Sequence, residues 1–242
     1  MSRRTTAIAA TLSLLGLASP LFTGCTNPMA IEYFNQGVEK YRAENYLGAI
    51  DDYTMALKID PQDSDAYYNR GLAKYDLEDY QGAIADYTKA LNFNPQFADA
   101  YSNRGLAKFH LDDYQGAITD YTKTLDFEPQ HAEAFYNRGL AKFDLEDYQG
   151  AISDYTKGLE IRPKNAVAHH NRGLAKFHLE DYQGAIDDWS ETIEINPQDA
   201  DTFHNRGIAR RLENDLEGAC QDWRKAADLG LKRPAEWVMN QC

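Results

Sequence analysis

The chain has 242 residues, 26% of them charged, and a formal net charge of −13. An acidic balance of that size lacks the basic face that nucleic acid requires, so it excludes that partner class and points to basic or neutral proteins instead. The length would suit one or two ordinary domains, but an internal repeat occupies most of it.

Residues 1–24 carry Arg3 and Arg4, then the apolar run Ala7 to Leu17, then small and turn-forming residues before Cys25. This reads as an export signal whose apolar core is too short to rest as a spanning helix. Its removal takes two arginines and no acid, leaving a balance of −15. Leu21-Phe22-Thr23-Gly24-Cys25 resembles a bacterial lipobox, with Phe22 departing from the usual leucine, so Cys25 is the expected lipidation site. An ordinary secretory signal with an incidental cysteine is the alternative. Residues 25–29 would then be a lipidated cysteine and a short tether. Its four residues after Cys25 reach at most about 14 Å, which keeps the rest of the chain close to the bilayer.

From residue 30 to 232 one unit returns every 34 residues: 30–63, 64–97, 98–131, 132–165, 166–199 and 200–232. Gly37, Gly71, Gly105, Gly139, Gly173 and Gly207 mark its register. A period of that size means stacked helical hairpins rather than a globule with one closed core. In the second unit, Ser64 to Leu77 reads as the first helix and Tyr80 to Phe93 as the second, with Asp79 as N-cap. The small pair Gly71 and Ala83 is expected to let the two helices approach closely, with large rings such as Tyr87 filling the remaining volume. Pro61, Pro95, Pro129, Pro163 and Pro197 end the second helices. The sixth unit has Leu231 at that place, which reads as the end of the array.

These residues resemble the tetratricopeptide repeat, over about 200 of the 242 residues. The resemblance implies an all-α, right-handed solenoid of six helix-turn-helix repeats. Departures are an arginine where the family has leucine before glycine (Arg70, Arg104, Arg138, Arg172, Arg206), and Thr124, Gly158 and Thr192 where it has a later alanine. Each unit also has an aspartate beside its second-helix ring, namely Asp52, Asp86, Asp120, Asp154, Asp188 or Asp222, so a repeated arginine–aspartate pair is expected.

On the first helices a stripe at i, i+4, i+7 includes Tyr68 and Tyr75, Phe109, Tyr136 and Phe143, His170 and Phe177, and His204. The resemblance implies that such places face the concave groove of the superhelix; packing against neighbouring first helices is the alternative. Asn35, Asn69, Asn103, Asn137, Asn171 and Asn205 form a ladder able to pair with the backbone of an extended peptide, or to bond helix to helix. The lysine clamp of chaperone-binding relatives is not matched. Asp65, Asp99, Glu133 and Asp201 stand there instead, which favours lysine or arginine on the ligand.

His170, His178 and His204 would lie near one end of the groove, but adjacent first helices stand about 10 Å apart, and no metal or other cofactor is expected. The chain shows no phosphate loop and no nucleophile with an ordered base, so an enzyme is not expected.

Residues 233–242 read as a capping helix, with Pro234 near its start and Trp237 and Val238 able to cover the last hairpin. Cys220 takes the place of Ile50, Ile84, Ile118, Ile152 and Ile186, so it should face inward. An antiparallel cap brings Cys242 beside it, and an oxidising compartment would join them in a disulfide worth roughly 3 kcal/mol; a buried free thiol with a frayed end is the alternative. The functional expectation is a scaffold, exported and lipid-anchored on the periplasmic or outer face of a bacterial membrane. It would bind a peptide or partner protein in its groove as an envelope assembly or recruitment factor. A secreted, non-lipidated adaptor that regulates an enzyme is the second reading.

Overall fold

The computed structural model describes residues 27–231 and 242, which hold twelve α-helices and no strand. Residues 1–26 and 232–241, where the export signal, Cys25 and most of the expected capping helix fall, lie outside the described residues. One compact unit ends at Asp113 and a second begins at Tyr114.

The first unit holds α1 (Pro28–Arg42), α2 (Tyr46–Ile59), α3 (Ser64–Asp76), α4 (Tyr80–Phe93) and α5 (Ala98–His110). Here α1 pairs with α2 and α3 with α4, while α2 packs on α3 and α4 on α5. The second unit holds α6 (Tyr114–Phe127), α7 (Ala132–Asp144), α8 (Tyr148–Ile161), α9 (Ala166–His178), α10 (Tyr182–Ile195), α11 (Ala200–Leu212) and α12 (Leu216–Asp228). Its hairpins α7/α8, α9/α10 and α11/α12 follow one another, with α6 against α7, α8 against α9 and α10 against α11.

The helix limits follow local chemistry. Asn45, Asp79, Asp147, Asp181 and Asp215 cap the second helices by accepting from the amides of Gly48, Gly82, Gly150, Gly184 and Gly218, which satisfies a donor that the first turn leaves open. A Cβ on Gly82 would collide with the Asp79 carboxylate, so the capping geometry needs glycine there. The helix α1 opens at Pro28, two residues before the expected start at 30, because Asn27 caps it and proline suits the first turn. Part of the expected tether is therefore helix.

At Gly37, Gly71, Gly139, Gly173 and Gly207 the first-helix glycine proves to serve the aromatic ring rather than the second-helix alanine. A Cβ at Gly71 would lie 2.7 Å from Tyr87 Cε1, and one at Gly139 2.7 Å from Tyr155 Cε1. At Gly173 the Trp189 ring stands in the same relation, with Nε1 at 2.7 Å. The alanine looks the other way: Ala49, Tyr53 and Ala73 form one buried cluster, Ala83, Tyr87 and Ala107 another, and Ala185, Trp189 and Ala209 a third. Each ring thus fills the notch of its own hairpin and carries the alanine that meets the next first helix.

Candidate protein-interaction site

A polar spine runs through the hairpins beside those rings. Arg138 donates from Nε and Nη2 to Asp154 Oδ2 and Oδ1 at 2.9 and 2.7 Å, and from Nη1 to Thr122 Oγ1 of the preceding second helix at 3.0 Å. Lys142 Nζ approaches the same Asp154 at 2.8 Å. Arg70, Asp86, Lys74 and Thr54 repeat the arrangement, as do Arg172, Asp188, Lys176 and Thr156. In the last hairpin Arg206 binds Asp222 and Ser190, with Arg210 in the lysine's place.

The expected pair is therefore one part of a four-residue network. Its lysine and hydroxyl recur every 34 residues as Lys40, Lys74, Lys108, Lys142 and Lys176, and as Thr54, Thr88, Thr122, Thr156 and Ser190, a signal available in the sequence. Where Gln36 replaces arginine, Lys40 meets Asp52 at 2.6 Å. Burial alone would raise the Asp188 carboxyl, but hydrogen bonds from His169, Arg172 and Lys176 outweigh it and hold Asp188 well below the usual carboxylate range.

The asparagine ladder divides. Asn103 Nδ2 donates to Tyr68 Oη at 2.8 Å, and Asn171 Nδ2 to Tyr136 Oη at 2.9 Å, each reaching back to the previous first helix. Asn171 and Tyr136 are 3% and 6% exposed, and Asn137 is buried too, so these three belong to the interior of the stack. Asn35 is exposed and Asn69 and Asn205 are half-buried. Asn69 Nδ2 donates to the Asp65 carbonyl at 2.8 Å, a bond that does not use its amide oxygen.

The stripe of rings is engaged in packing. Tyr68 lies 4.7 Å from Phe97 and 5.8 Å from Tyr87 between ring centroids, and burial pushes its phenol well above the ordinary range. Tyr75 meets Tyr80 and His110; Phe143 meets Tyr148 and His178; Phe177 meets Tyr182 and Trp189. Phe109 is half-buried beside His110, and His204 is half-buried with its carbonyl accepting from Trp223 Nε1 at 3.3 Å.

Histidines serve the same stacking. His110 lies flat on Tyr80, and His178 on Tyr148, at 4.7 and 4.6 Å with planes 4° apart. His170 Nδ1 stands 2.6 Å from Thr202 Oγ1, which itself donates to Asp199 Oδ2 at 2.8 Å. The hydroxyl has a single proton, so it must accept from His170, which places the imidazole proton on Nδ1. Burial lowers the pKa of both His110 and His170. No group of three or more metal-ligating side chains occurs among the described residues.

What remains open on the first helices includes acids beside the asparagines. Asp65 and Asp201 are exposed and stand four residues before Asn69 and Asn205 on the same helix faces. Asp99 is half-buried. Glu133 is held by Arg162 at 2.6 Å. At the carboxy end Cys220 is buried and its sulfur is bonded to that of Cys242, with Cα atoms 5.8 Å apart. None of the described helices is long and apolar enough to cross a membrane.

Comparison with known proteins agrees with this architecture. Sequence models described as TPR repeat match residues 37–77 and 71–112, and models described as tetratricopeptide repeat match 98–131 and 132–165. No curated protein matches the chain. Among solved structures, the crystal structure of MamA protein is similar at 25% identity and a TM-score of 0.67, over 72% of this chain and 94% of that one. YrrB, titled a TPR protein with an unusual peptide-binding site, is 22% identical with a TM-score of 0.70, over 78% and 97%. PilF of Pseudomonas aeruginosa is 18% identical with a TM-score of 0.71, over 88% and 97%.

Proposed function

We propose that this chain, which belongs to the tetratricopeptide repeat family, is a membrane-anchored scaffold that holds a basic peptide or protein segment along its first helices. Proteins of the family bind other proteins or peptides, and the polar character of this face supplies the selectivity. One observation carries the reading. Both units pair an exposed acid with a partly exposed asparagine four residues on, Asp65 with Asn69 and Asp201 with Asn205. The carboxylates attract lysine or arginine, and the amide oxygens accept from a ligand's backbone amides whatever its sequence. The binding sets proposed are thus Asn35, Asp65 and Asn69 in the first unit and, separately, Asp201 and Asn205 in the second, while the rings of the stripe shape each face from beneath.

Anchoring rests on Cys25 and on the basic, apolar run before it. An envelope assembly role is supported by the fold shared with PilF and with PilW, the latter titled a widely conserved type IV pilus biogenesis factor. Catalysis has no part in the reading. The test is binding of a panel of extended decapeptides, lysine-rich against glutamate-rich, to wild type and to an Asn35→Ala, Asn69→Ala, Asp65→Asn, Asp201→Asn variant. Wild type is expected to prefer the basic set and the variant to lose that preference; equal binding of both sets by wild type defeats the proposal. Labelled fatty acid incorporated into wild type but not Cys25→Ser tests the anchor.

A further inference from the structure

The outer face of α1 breaks the pattern of the first helices that follow it. Ala66 and Ala73 of α3, and Ala100 and Ala107 of α5, are fully buried. Ala73 clusters with Ala49 and Tyr53 of the preceding second helix, and Ala107 with Ala83 and Tyr87. The places 34 residues before Ala66 and Ala73 hold Glu32 and Glu39, and both are exposed. No helix precedes α1 among the described residues, where α1 packs on α2 and touches α3. The face that a preceding hairpin would cover is therefore open and charged.

Four exposed residues line it at i, i+3, i+7 and i+10, namely Glu32, Asn35, Glu39 and Arg42. Lys40 turns inward to Asp52 at 2.6 Å, whereas Arg42 has no ion pair among the described residues. Glu32 accepts a 3.3 Å bond from Gln36 on its own helix. The order of charge along the face selects a partner. Glu32 and Arg42 stand ten residues apart, about 15 Å of helix, so they cannot pair with each other. Two copies of the face meeting antiparallel about a two-fold axis beside Gly37 bring Glu32 opposite Arg42 and Asn35 opposite Glu39. Each contact is made twice, because the members of each couple are equally far from position 37. A parallel meeting would instead bring every acid opposite itself.

We propose that this face of α1 is a self-association surface for a second copy of the chain, held by two Glu32–Arg42 ion pairs and two hydrogen bonds from Asn35 to Glu39. The guanidinium can meet a carboxylate through two parallel bonds, which fixes register as well as supplying attraction. One pair of helices is smaller than a standard protein interface, so the dimer is transient rather than obligate. Asn35 can serve a peptide or a second copy but not both at once. The self-association does not depend on the peptide-binding reading, and the substitutions that test it leave Asn35 in place.

The test is sedimentation of the full chain up to about 300 μM, where a transient contact of this size is populated. Wild type is expected to form a concentration-dependent dimer, and a monomer throughout overturns the proposal. Glu32→Arg and Arg42→Glu, each of which brings like charges together, are expected to weaken the dimer about 10-fold or more. Glu32→Arg also lowers the net negative charge of an acidic chain, so an effect of bulk charge would strengthen association; a dimer left unchanged or strengthened by it overturns the proposal. The Glu32→Arg, Arg42→Glu double variant has the net charge of wild type and exchanges the signs of both ion pairs. It is expected to regain the wild-type affinity, and a double variant as weak as the single ones overturns the proposal. Mixing the two single variants is expected to give a heterodimer tighter than either forms alone, and the absence of one is equally decisive against the surface. Both positions are exposed, so the single variants are expected to unfold at the wild-type temperature; where one does not, the double variant and the mixture decide.

Discussion

Arg138 grips Asp154 with two parallel hydrogen bonds while its third nitrogen reaches Thr122 in the preceding second helix. One side chain thereby joins its own hairpin to the one before it. The carboxylate it holds is buried, so the pair cannot be judged as a surface ion pair; breaking it leaves charge in a poorly solvated place. Arg138→Leu is expected to cost about 3 kcal/mol, with Asp154 retaining only Lys142, and Arg138→Leu combined with Asp154→Asn to recover part of the loss. Urea unfolding of the two single variants and the double variant measures the coupling. Additive losses would show that only packing is at stake.

Thr122→Val tests the inter-hairpin arm alone. It removes the acceptor of Arg138 Nη1 without touching Asp154 and should cost about 1 kcal/mol. A loss as large as that of Arg138→Leu would contradict the division of roles.

Gly139→Ala should destabilise by about 1 to 3 kcal/mol although alanine is the better helix former, because its methyl would enter the Tyr155 ring. The same ring offers an opposite-signed control. Tyr155 Oη is buried without a hydrogen-bond partner among the described residues, so Tyr155→Phe is expected to leave stability unchanged or raise it by up to about 1 kcal/mol. Thermal unfolding of both variants decides the point; a clear loss in Tyr155→Phe would reveal a partner for the hydroxyl.

Acid should weaken the stack through its histidines. Burial lowers His110 and His170 below the ordinary value of 6.5, so the unfolded chain takes up protons first. Their contribution is complete above about pH 6.5 and is lost as the pH falls below it. Asp188 acts lower, its depressed carboxyl adding stability that disappears only when the pH drops through and below the ordinary carboxylate range. Urea midpoints at pH 7.5 and 5.5 should fall further for wild type than for His110→Phe, which keeps a ring on Tyr80. Equal falls would remove His110 from the account.

Reductant should lower the unfolding temperature of wild type and leave that of Cys242→Ser unmoved. The bond joins positions 22 apart, and closing a loop of that order contributes roughly 3 kcal/mol. Two alkylatable thiols at 220 and 242 in unreduced protein would rule the bridge out.

Period, class, capping by Asp79 and helix limits to within one or two residues could be read before any coordinate, because they rest on interactions within a few residues and on a register that repeats every 34 positions. Asp79 as a cap and the end of α4 at Phe93 are local matters. The arginine–aspartate pair was also legible, since both partners recur in every hairpin that has the arginine. The fates of Asn103, Asn171 and Tyr136 were not. Whether an amide meets a ligand or the phenol 35 residues before it depends on how closely successive first helices approach, a distance set by the rings and small residues between them. Likewise Gly71 and Ala83 look like one small pair in sequence, and only the packed hairpin shows the glycine under Tyr87 and the alanine turned toward Ala107. Local chemistry determined where the helices begin and end. The contacts between them decided which of the repeated polar residues are spent on stacking and which are left for a partner.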